Sequence, residues 1–444
     1  MTCRSLSWTL YGLAAILGAV LAGCDNGNDN PVNSPDGSSV DTGQPVADTR
    51  QSVPDTNRDP LLPDTSRTGP EVGRDTLAPD SGRDLTVADS GRDQTTADTG
   101  GTLIDTRPAT DSGGSSGGTP AVALQGRFDR TDATRPSFGW SGSAMVARFD
   151  GTGATLRMDG SPNQFAVVLD GVLSPVLKIV SGTTQYPVAT GLASGVHDLV
   201  IWKRTEGNQG ENRFLGLDIV GGQLLAPPAA PDRRIEIYGD SITAGYGLDG
   251  KDQNCSFSQD TENHYLSYAA LAARSLSAEL HTIAWSGIGM YRNYGEDGPS
   301  KENMPAVYAR TLPNQANSVW DFSSWQPHAV VINLGTNDAS SKHDPGTPYE
   351  TNYLDFVRTL RKKYPDTFFV LTIGPMLSGA DLIAIRTHLQ NVIKTRADEG
   401  DTKMSYLEFP EQTSGYGCDW HPGAATHAKM APLLVTELKT RLGW

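Results

Sequence analysis

Hydrophobic and polar positions divide the chain into stretches of different texture. Residues 1–24 hold one positive charge, Arg4, and then an apolar run from Leu10 to Leu21. From 25 to about 120 there is no apolar period at all. Residues 121–225 carry short alternating runs, Ala144 to Phe149, Ala154 to Met158, Gln164 to Leu169, His197 to Trp202 and Phe214 to Ile219, separated by turns containing Gly, Asp or Ser. Period-two alternation at close spacing predicts half-buried antiparallel strands, hence a small β-sandwich or jelly roll. After a connector rich in Ala and Pro, Leu224 to Pro231, the texture changes again. Apolar runs at 235–238, 280–285, 329–334, 367–373 and 404–409 read as buried parallel strands. Helical periodicity over 264–279, 349–363, 380–397 and 424–441 reads as the helices between them. This βαβ alternation over 230–444 predicts an α/β domain, a parallel sheet covered by helices on both faces.

Composition changes the picture for the second stretch. The formal charge of −15 is unevenly spread: residues 25–120 carry 17 acidic and 7 basic side chains and no Phe, Trp, Tyr or Lys. Such a segment buries too little apolar surface to offset the entropy of ordering and reads as a disordered linker. Its repeat, Asp80-Ser-Gly-Arg-Asp84 and again Asp89-Ser-Gly-Arg-Asp93, lacks the spacing of a calcium loop. As a coil it reaches about 50–60 Å. The remainder is mildly anionic and has no basic stripe, so no nucleic-acid partner is expected. Residues 1–24 read as a signal peptide, the apolar run being short for a bilayer span. With Cys3 and Cys24 in that segment, Cys255 and Cys418 remain, as a disulfide in an exported chain or as two thiols. Neither has a CxxC partner that would suggest a metal site.

Candidate chemistry sits where strands end. Ile235 to Tyr238 breaks at Gly239-Asp240-Ser241, and ligands of open α/β sheets bind beyond the carboxyl ends of the strands. A serine hydroxyl needs a base to take its proton, and His421 lies on a loop ahead of the last helix. Two further strand ends carry Trp285-Ser-Gly-Ile-Gly289 and Asn333-Leu-Gly-Thr-Asn-Asp338. Gly287 could shape a turn or offer a backbone N–H, a role open to Gly289 as well. Asn337 could cap a helix or donate its amide. The remaining histidines, among them His264, His281, His328 and His388, fall in helix or strand patterns and read as structural or exposed.

Ser, Gly, Asn and His blocks in this order resemble the SGNH (GDSL) hydrolase superfamily, whose fold is a three-layer α/β/α sandwich. The resemblance implies Ser241 as nucleophile and His421 as general base. It implies an oxyanion hole made by the N–H of Ser241, the N–H of Gly287 and the amide of Asn337. The superfamily carries an Asp three residues before the His; here that place is Cys418, and Asp419 stands two before. Gly239-Asp-Ser-Ile-Thr-Ala-Gly-Tyr-Gly247, Lys203-Arg-Thr-Glu206 and Cys418-Asp-Trp-His-Pro422 behind a β-sandwich resemble family 2 of the carbohydrate esterases. In that family a backbone carbonyl orients the His, so Asp419 is expected to help through its main-chain oxygen or its carboxylate.

The resemblance further implies removal of O-acetyl groups from acetylated xylan or glucomannan, with an acetylated polysaccharide or oligosaccharide as partner and no cofactor. Trp285 and Trp420, with Tyr291 and Tyr294, are candidate sugar platforms, and a monomer is expected. Leu21-Ala-Gly-Cys24 resembles the bacterial lipobox, which implies lipidation of Cys24 and a cell-envelope location, anchored at the outer membrane, cell surface or periplasm; the plainer reading is secretion. A lipase on the same scaffold would need an apolar acyl groove, whereas the insert at 248–264 is polar. A lipid-anchored carbohydrate-binding protein without activity is the other alternative.

Overall fold

The computed structural model describes residues 122–444, Lys342 apart; the expectations for the signal peptide, Cys24 and the linker lie outside the described residues. The first part, to Leu225, is two antiparallel sheets of seven and five strands. The first sheet is built around Ala144–Gly151, Gly195–Lys203 and Gln164–Leu169, the second around Asn212–Val220 and Gly153–Gly160. Strand Gln223–Leu225 pairs with Ala144–Gly151, so Leu224 and Leu225 belong to a sheet and the connector starts only after Leu225.

Alternation along the central strands explains how the two parts adhere. Met145, Ile201 and Val167 stand side by side in the first sheet and face the sandwich core with Phe138, Phe149, Phe165 and Leu156. Their chain neighbours Ala144, Trp202 and Ala166 form the adjacent row on the opposite face and join the core of the α/β part, with Ile235, Ile237 and Tyr268. The same strands therefore serve two cores. A buried ion pair adds to the joint: Arg127 of the sandwich donates to Glu236 at 2.8 Å, both side chains almost wholly buried. Deleting one partner of such a pair costs about 3–5 kcal/mol, because the other charge is left without compensation.

The second part holds five parallel strands, β1 (Arg233–Gly239), β2 (Ala278–Ala284), β3 (Ala329–Asn333), β4 (Phe368–Ile373) and β5 (Met404–Glu408), in the order β2-β1-β3-β4-β5. The helices are α1 (Ser241–Ala244), α2 (Tyr268–Ser275), α3 (Met304–Val307), α4 (Gly346–Lys363), α5 (Gly379–Asp398) and α6 (Ala424–Leu442). β3 and β4 are buried on both faces, which is why they read as almost wholly apolar, and β1 is buried from Ile235 to Gly239 with Glu236 paired to Arg127. Strand order reverses at β1, and the crevice at such a switch point is where open sheets place ligands.

Expectation and structure differ most around 264–279. A single-turn 3-10 helix, His264–Leu266, precedes an extended Ser267, whose side chain caps α2 by accepting from the Ala270 N–H. His264 is buried against Trp202, whose indole N–H donates to His264 Nδ1 at 3.1 Å. Burial pushes the His264 pKa down to about 3, so this is a neutral structural histidine. The run's last residues pass instead to β2, which begins at Ala278.

Candidate active site

β1 ends at Gly239, where a Cβ would lie 2.1 Å from Thr243 Oγ1, so the turn into α1 closes only over glycine. Asp240 caps that helix, its carboxylate accepting from the Ile242 N–H at 3.0 Å, and Ser241 is the first helical residue. Burial pushes the Asp240 carboxyl up to about 7. Ser241 and His421, 180 residues apart, meet here: His421 Nε2 is 2.9 Å from Ser241 Oγ. The other ring nitrogen, Nδ1, is 3.0 Å from the main-chain oxygen of Asp419. A carbonyl can only accept, so Nδ1 carries the proton and Nε2 keeps its lone pair for the serine hydroxyl. Burial holds the His421 pKa below its ordinary value, opposed by the Asp419 carbonyl and carboxylate.

The carboxylate of Asp419 lies elsewhere, accepting from Tyr246 Oη at 3.0 Å and from the Phe257 N–H at 2.9 Å. Of the two roles left open for Asp419, the geometry presents the main-chain oxygen to the imidazole. Turning that carbonyl inward requires left-handed backbone at Asp419 (φ 51°) and Trp420 (φ 63°). Each costs about 1–2 kcal/mol for an L-residue. The loop is held against that cost at several points. Cys255 and Cys418 form a disulfide. The Asp419 N–H donates to Cys255 O at 3.0 Å, and the Cys418 N–H to Gly247 O at 2.9 Å. Closing a loop of 163 residues restricts the unfolded chain by about 3–5 kcal/mol. The Tyr246 ring lies 4.3 Å from the His421 ring and stacks on Phe257 at 4.2 Å. Nothing in the sequence singled out Tyr246 beyond its place in the Ser block.

On the opposite side stand the donors. Among the described residues, neither the Ser241 N–H nor the Gly287 N–H meets a protein acceptor. Gly287 has φ 79°, a conformation that a side chain would strain. Asn337 Nδ2 donates to Ile288 O at 2.7 Å and stands 3.5 Å from Asp240 Oδ2, so one amide proton is firmly engaged and the other weakly. The alternative donor, the Gly289 N–H, is already given to Asn293 Oδ1 at 3.0 Å. Asp338, the neighbour of Asn337 at the end of that block, holds this side together. Its buried carboxylate accepts from the N–H groups of Met290, Tyr291 and Arg292 at 2.7–3.0 Å. Burial pushes its pKa up to about 6, against the pull of those donors.

The two candidate platforms differ. Trp285 is half-buried, its ring edge-on to Trp140 of the sandwich at 6.4 Å, and it packs on the main core. Trp420 is 56% exposed, with Tyr416 against it at 5.3 Å, and Tyr294 is 71% exposed beside Gly287. A cavity of about 770 Å³ lies between Leu124–Thr131 and the loop 311–325 and includes none of Ser241, Gly287, Asn337 or His421. No group of three His, Cys, Asp or Glu residues among the described residues is arranged to hold a metal ion.

Comparison with known proteins agrees with this architecture. Residues 124–228 match the family model "Carbohydrate esterase 2 N-terminal", and residues 237–429 match "GDSL-like Lipase/Acylhydrolase family". The chain is 42% identical over 339 residues to the cellulase/esterase CelE of Acetivibrio thermocellus, covering 76% of this chain and 41% of that protein, and so spans less than half of its length. It is 29% identical over 336 residues to an acetylxylan esterase/glucomannan deacetylase of Cellvibrio japonicus, covering 73% of this chain and 90% of that one. A family two carbohydrate esterase from Clostridium thermocellum, solved in complex with cellohexaose, superposes with a TM-score of 0.70 at 42% identity over 73% of this chain and 99% of that one. The corresponding figures for a family two enzyme from Cellvibrio japonicus are 0.67, 27%, 73% and 96%. With both of its parts matched in order and one solved relative covered almost end to end, the chain belongs to carbohydrate esterase family 2.

Proposed function

We propose that this protein is a serine esterase that removes O-acetyl groups from acetylated plant cell-wall polysaccharide, xylan or glucomannan, through an acyl-enzyme. The observation that carries the reading is the Ser241–His421 contact at 2.9 Å with the histidine tautomer set from behind by Asp419 O. Ser241 Oγ attacks the acetyl carbonyl carbon while His421 Nε2 takes its proton. The charge that develops on the carbonyl oxygen meets the N–H groups of Ser241 and Gly287 and the weakly engaged proton of the Asn337 amide. Donors of this kind lower a barrier by about 3–4 kcal/mol each. Nε2 then returns the proton to the departing sugar hydroxyl, and water repeats the cycle on the acetyl-serine to release acetate. A neutral imidazole is required at the start, and burial of His421 favours it. The exposed faces of Trp420 and Tyr294 are the sugar platforms in this reading, and Trp285 is a packing residue. The lipobox at Cys24 supports a lipid anchor at the bacterial cell envelope, with the Asp-rich segment as tether.

The test is acetate release from acetylated xylan and glucomannan by residues 121–444, beside Ser241→Ala and with long-chain p-nitrophenyl esters for comparison. Acetate release lost in Ser241→Ala, with little long-chain turnover, is the expected result. Strong long-chain hydrolysis would identify a lipase. A folded chain that turns over no ester would leave a carbohydrate-binding protein.

A further inference from the structure

The segment Lys203-Arg204-Thr205-Glu206 closes the sandwich strand Gly195–Lys203, and all four residues are at most 5% exposed. Thr205 stays with the sandwich, donating to Asn163 Oδ1 at 2.5 Å, and Lys203 Nζ donates back to Thr205 O at 2.7 Å, while Arg204 and Glu206 reach into the α/β part. Glu206 Oε2 accepts from the N–H of Ser286 at 2.6 Å, the residue directly before Gly287. The backbone of Glu206 is fixed on both sides of the domain boundary. Its N–H donates to Glu262 Oε1 at 3.0 Å, and its carbonyl accepts from Lys203 Nζ at 3.0 Å. Arg204 donates to Asp249 Oδ2 at 2.6 Å and to Glu262 O at 2.9 Å. The next residue, Gly207, packs so closely on Pro313 that a Cβ would lie 2.6 Å from its ring, and its carbonyl accepts from Asn314 Nδ2 at 2.7 Å.

The loop that Glu206 grips is tied at several other points, the Ile288 N–H donating to Trp285 O at 3.2 Å, the Tyr294 N–H to Gly287 O at 2.8 Å and Asn337 Nδ2 to Ile288 O at 2.7 Å, none of them through the Ser286–Gly287 peptide itself. Asp338 holds residues 290–292 and Asn293 holds Gly289, while Trp285 is tied to the end of β1 through Gly239 O. Between those anchors, the Ser286–Gly287 peptide sets the direction of the Gly287 N–H, and glycine by itself imposes little on that direction. A hydrogen bond accepted by a buried side-chain oxygen that cannot move is the kind of contact that imposes one.

We propose that Glu206 is a positioning residue for the oxyanion hole, through which the β-sandwich aims the Gly287 N–H at the developing oxyanion. The inference rests on the esterase reading above, and it makes the sandwich part of the catalytic apparatus rather than an appended module. An oxyanion donor contributes to the transition state and little to ground-state binding, so a misaimed donor lowers kcat and leaves KM nearly unchanged.

The experiment uses the two-domain chain with p-nitrophenyl acetate and acetylated xylan, well below each variant's Tm. Glu206→Asp keeps the charge but withdraws the carboxylate by one methylene, and Glu206→Gln keeps reach and an acceptor oxygen. Glu206→Asp is expected to lose about 10–100-fold in kcat with KM within about twofold, the scale of a partly lost oxyanion donor, and Glu206→Gln to recover to within about fivefold of the parent. Glu206→Ala, where it folds, should fall at least as far as Glu206→Asp. Unchanged kcat in Glu206→Asp, whatever its Tm, overturns the proposal and leaves Glu206 a structural residue. Equal losses in Glu206→Asp and Glu206→Gln, or a rise in KM without a fall in kcat, overturn it as well. No ester turnover by the parent chain would instead sink the esterase reading.

Discussion

The two sides of the site are held by opposite means. His421 leans on a neutral main-chain carbonyl, and the nearest carboxylate, that of Asp419, is turned to Tyr246 and the Phe257 N–H. The oxyanion side leans on buried carboxylates: Asp338 on the loop after β2, Asp240 on the turn after β1, Glu206 on Ser286. A carbonyl fixes the imidazole tautomer but stabilises the imidazolium less than a carboxylate would. Carboxylates aimed at backbone N–H groups do the converse task, holding flexible, glycine-bearing loops in one direction. Negative charge in this protein is thus used to set loop geometry, and the base depends on a strained backbone locked by a disulfide and a carboxylate clamp.

The comparison breaks first at the dyad. Ser241→Ala or His421→Ala should each lower kcat for acetate release by at least about 10⁴-fold with Tm little changed, as removal of a nucleophile or base does elsewhere. More than a few per cent of residual activity in either would mean that other groups carry the reaction. Next comes Asn337→Ala, expected to cost about 10²–10³-fold in kcat while KM holds. A loss confined to KM would make Asn337 a ground-state contact. A smaller effect sharpens the contrast between the two sides: Asp419→Asn should cost less than about tenfold, against the roughly 10⁴-fold that the same change costs a carboxylate-based triad. Asn keeps both the main-chain carbonyl and a tolerance for left-handed backbone. A drop of a thousandfold would mean that the carboxylate, and not the carbonyl, supports His421.

The smallest effect concerns pH. The base must be neutral, and a lowered pKa keeps it neutral to lower pH, so the acid limb of kcat/KM should have its midpoint below the ordinary histidine value of about 6.5. The Asp419 carboxylate raises the His421 pKa, so Asp419→Asn should move that midpoint further down. A move upward would contradict the assigned field. A limb near 7 that vanishes in Asp240→Asn would belong to Asp240, whose carboxyl burial pushes up to about 7.

Much of this was legible in the sequence, for reasons that differ by element. The parallel strands declared themselves because strands buried on both faces are mostly apolar, Glu236 being the exception that its partner Arg127 permits, and the sandwich strands because one-sided burial enforces alternation. The same rule concealed the domain joint. Ala144, Ala166 and Trp202 read as ordinary positions of a half-buried sheet, yet their row is buried by a core supplied from Ile235 onward, in the other part of the chain. The helix expected over 264–279 failed because periodicity cannot see Ser267 capping α2 or His264 held beneath Trp202.

What the sequence determined by itself was the set of strand ends and the residue types they carry: Ser241, Gly287, Asn337 and His421 each follow an apolar run or precede a helix, and local pattern suffices to put them on loops. What only the tertiary structure decided was which atoms of those loops face one another. Whether Asp419 presents its carboxylate or its carbonyl turns on two backbone dihedrals, and those are set by Cys255, Tyr246 and Phe257, more than 160 residues away in the chain. The direction of the Gly287 N–H turns on its own φ and on a neighbour supplied by the other domain. Side-chain identity is encoded locally. The aim of a hydrogen bond is a property of two segments at once, and it exists only after both have been brought together.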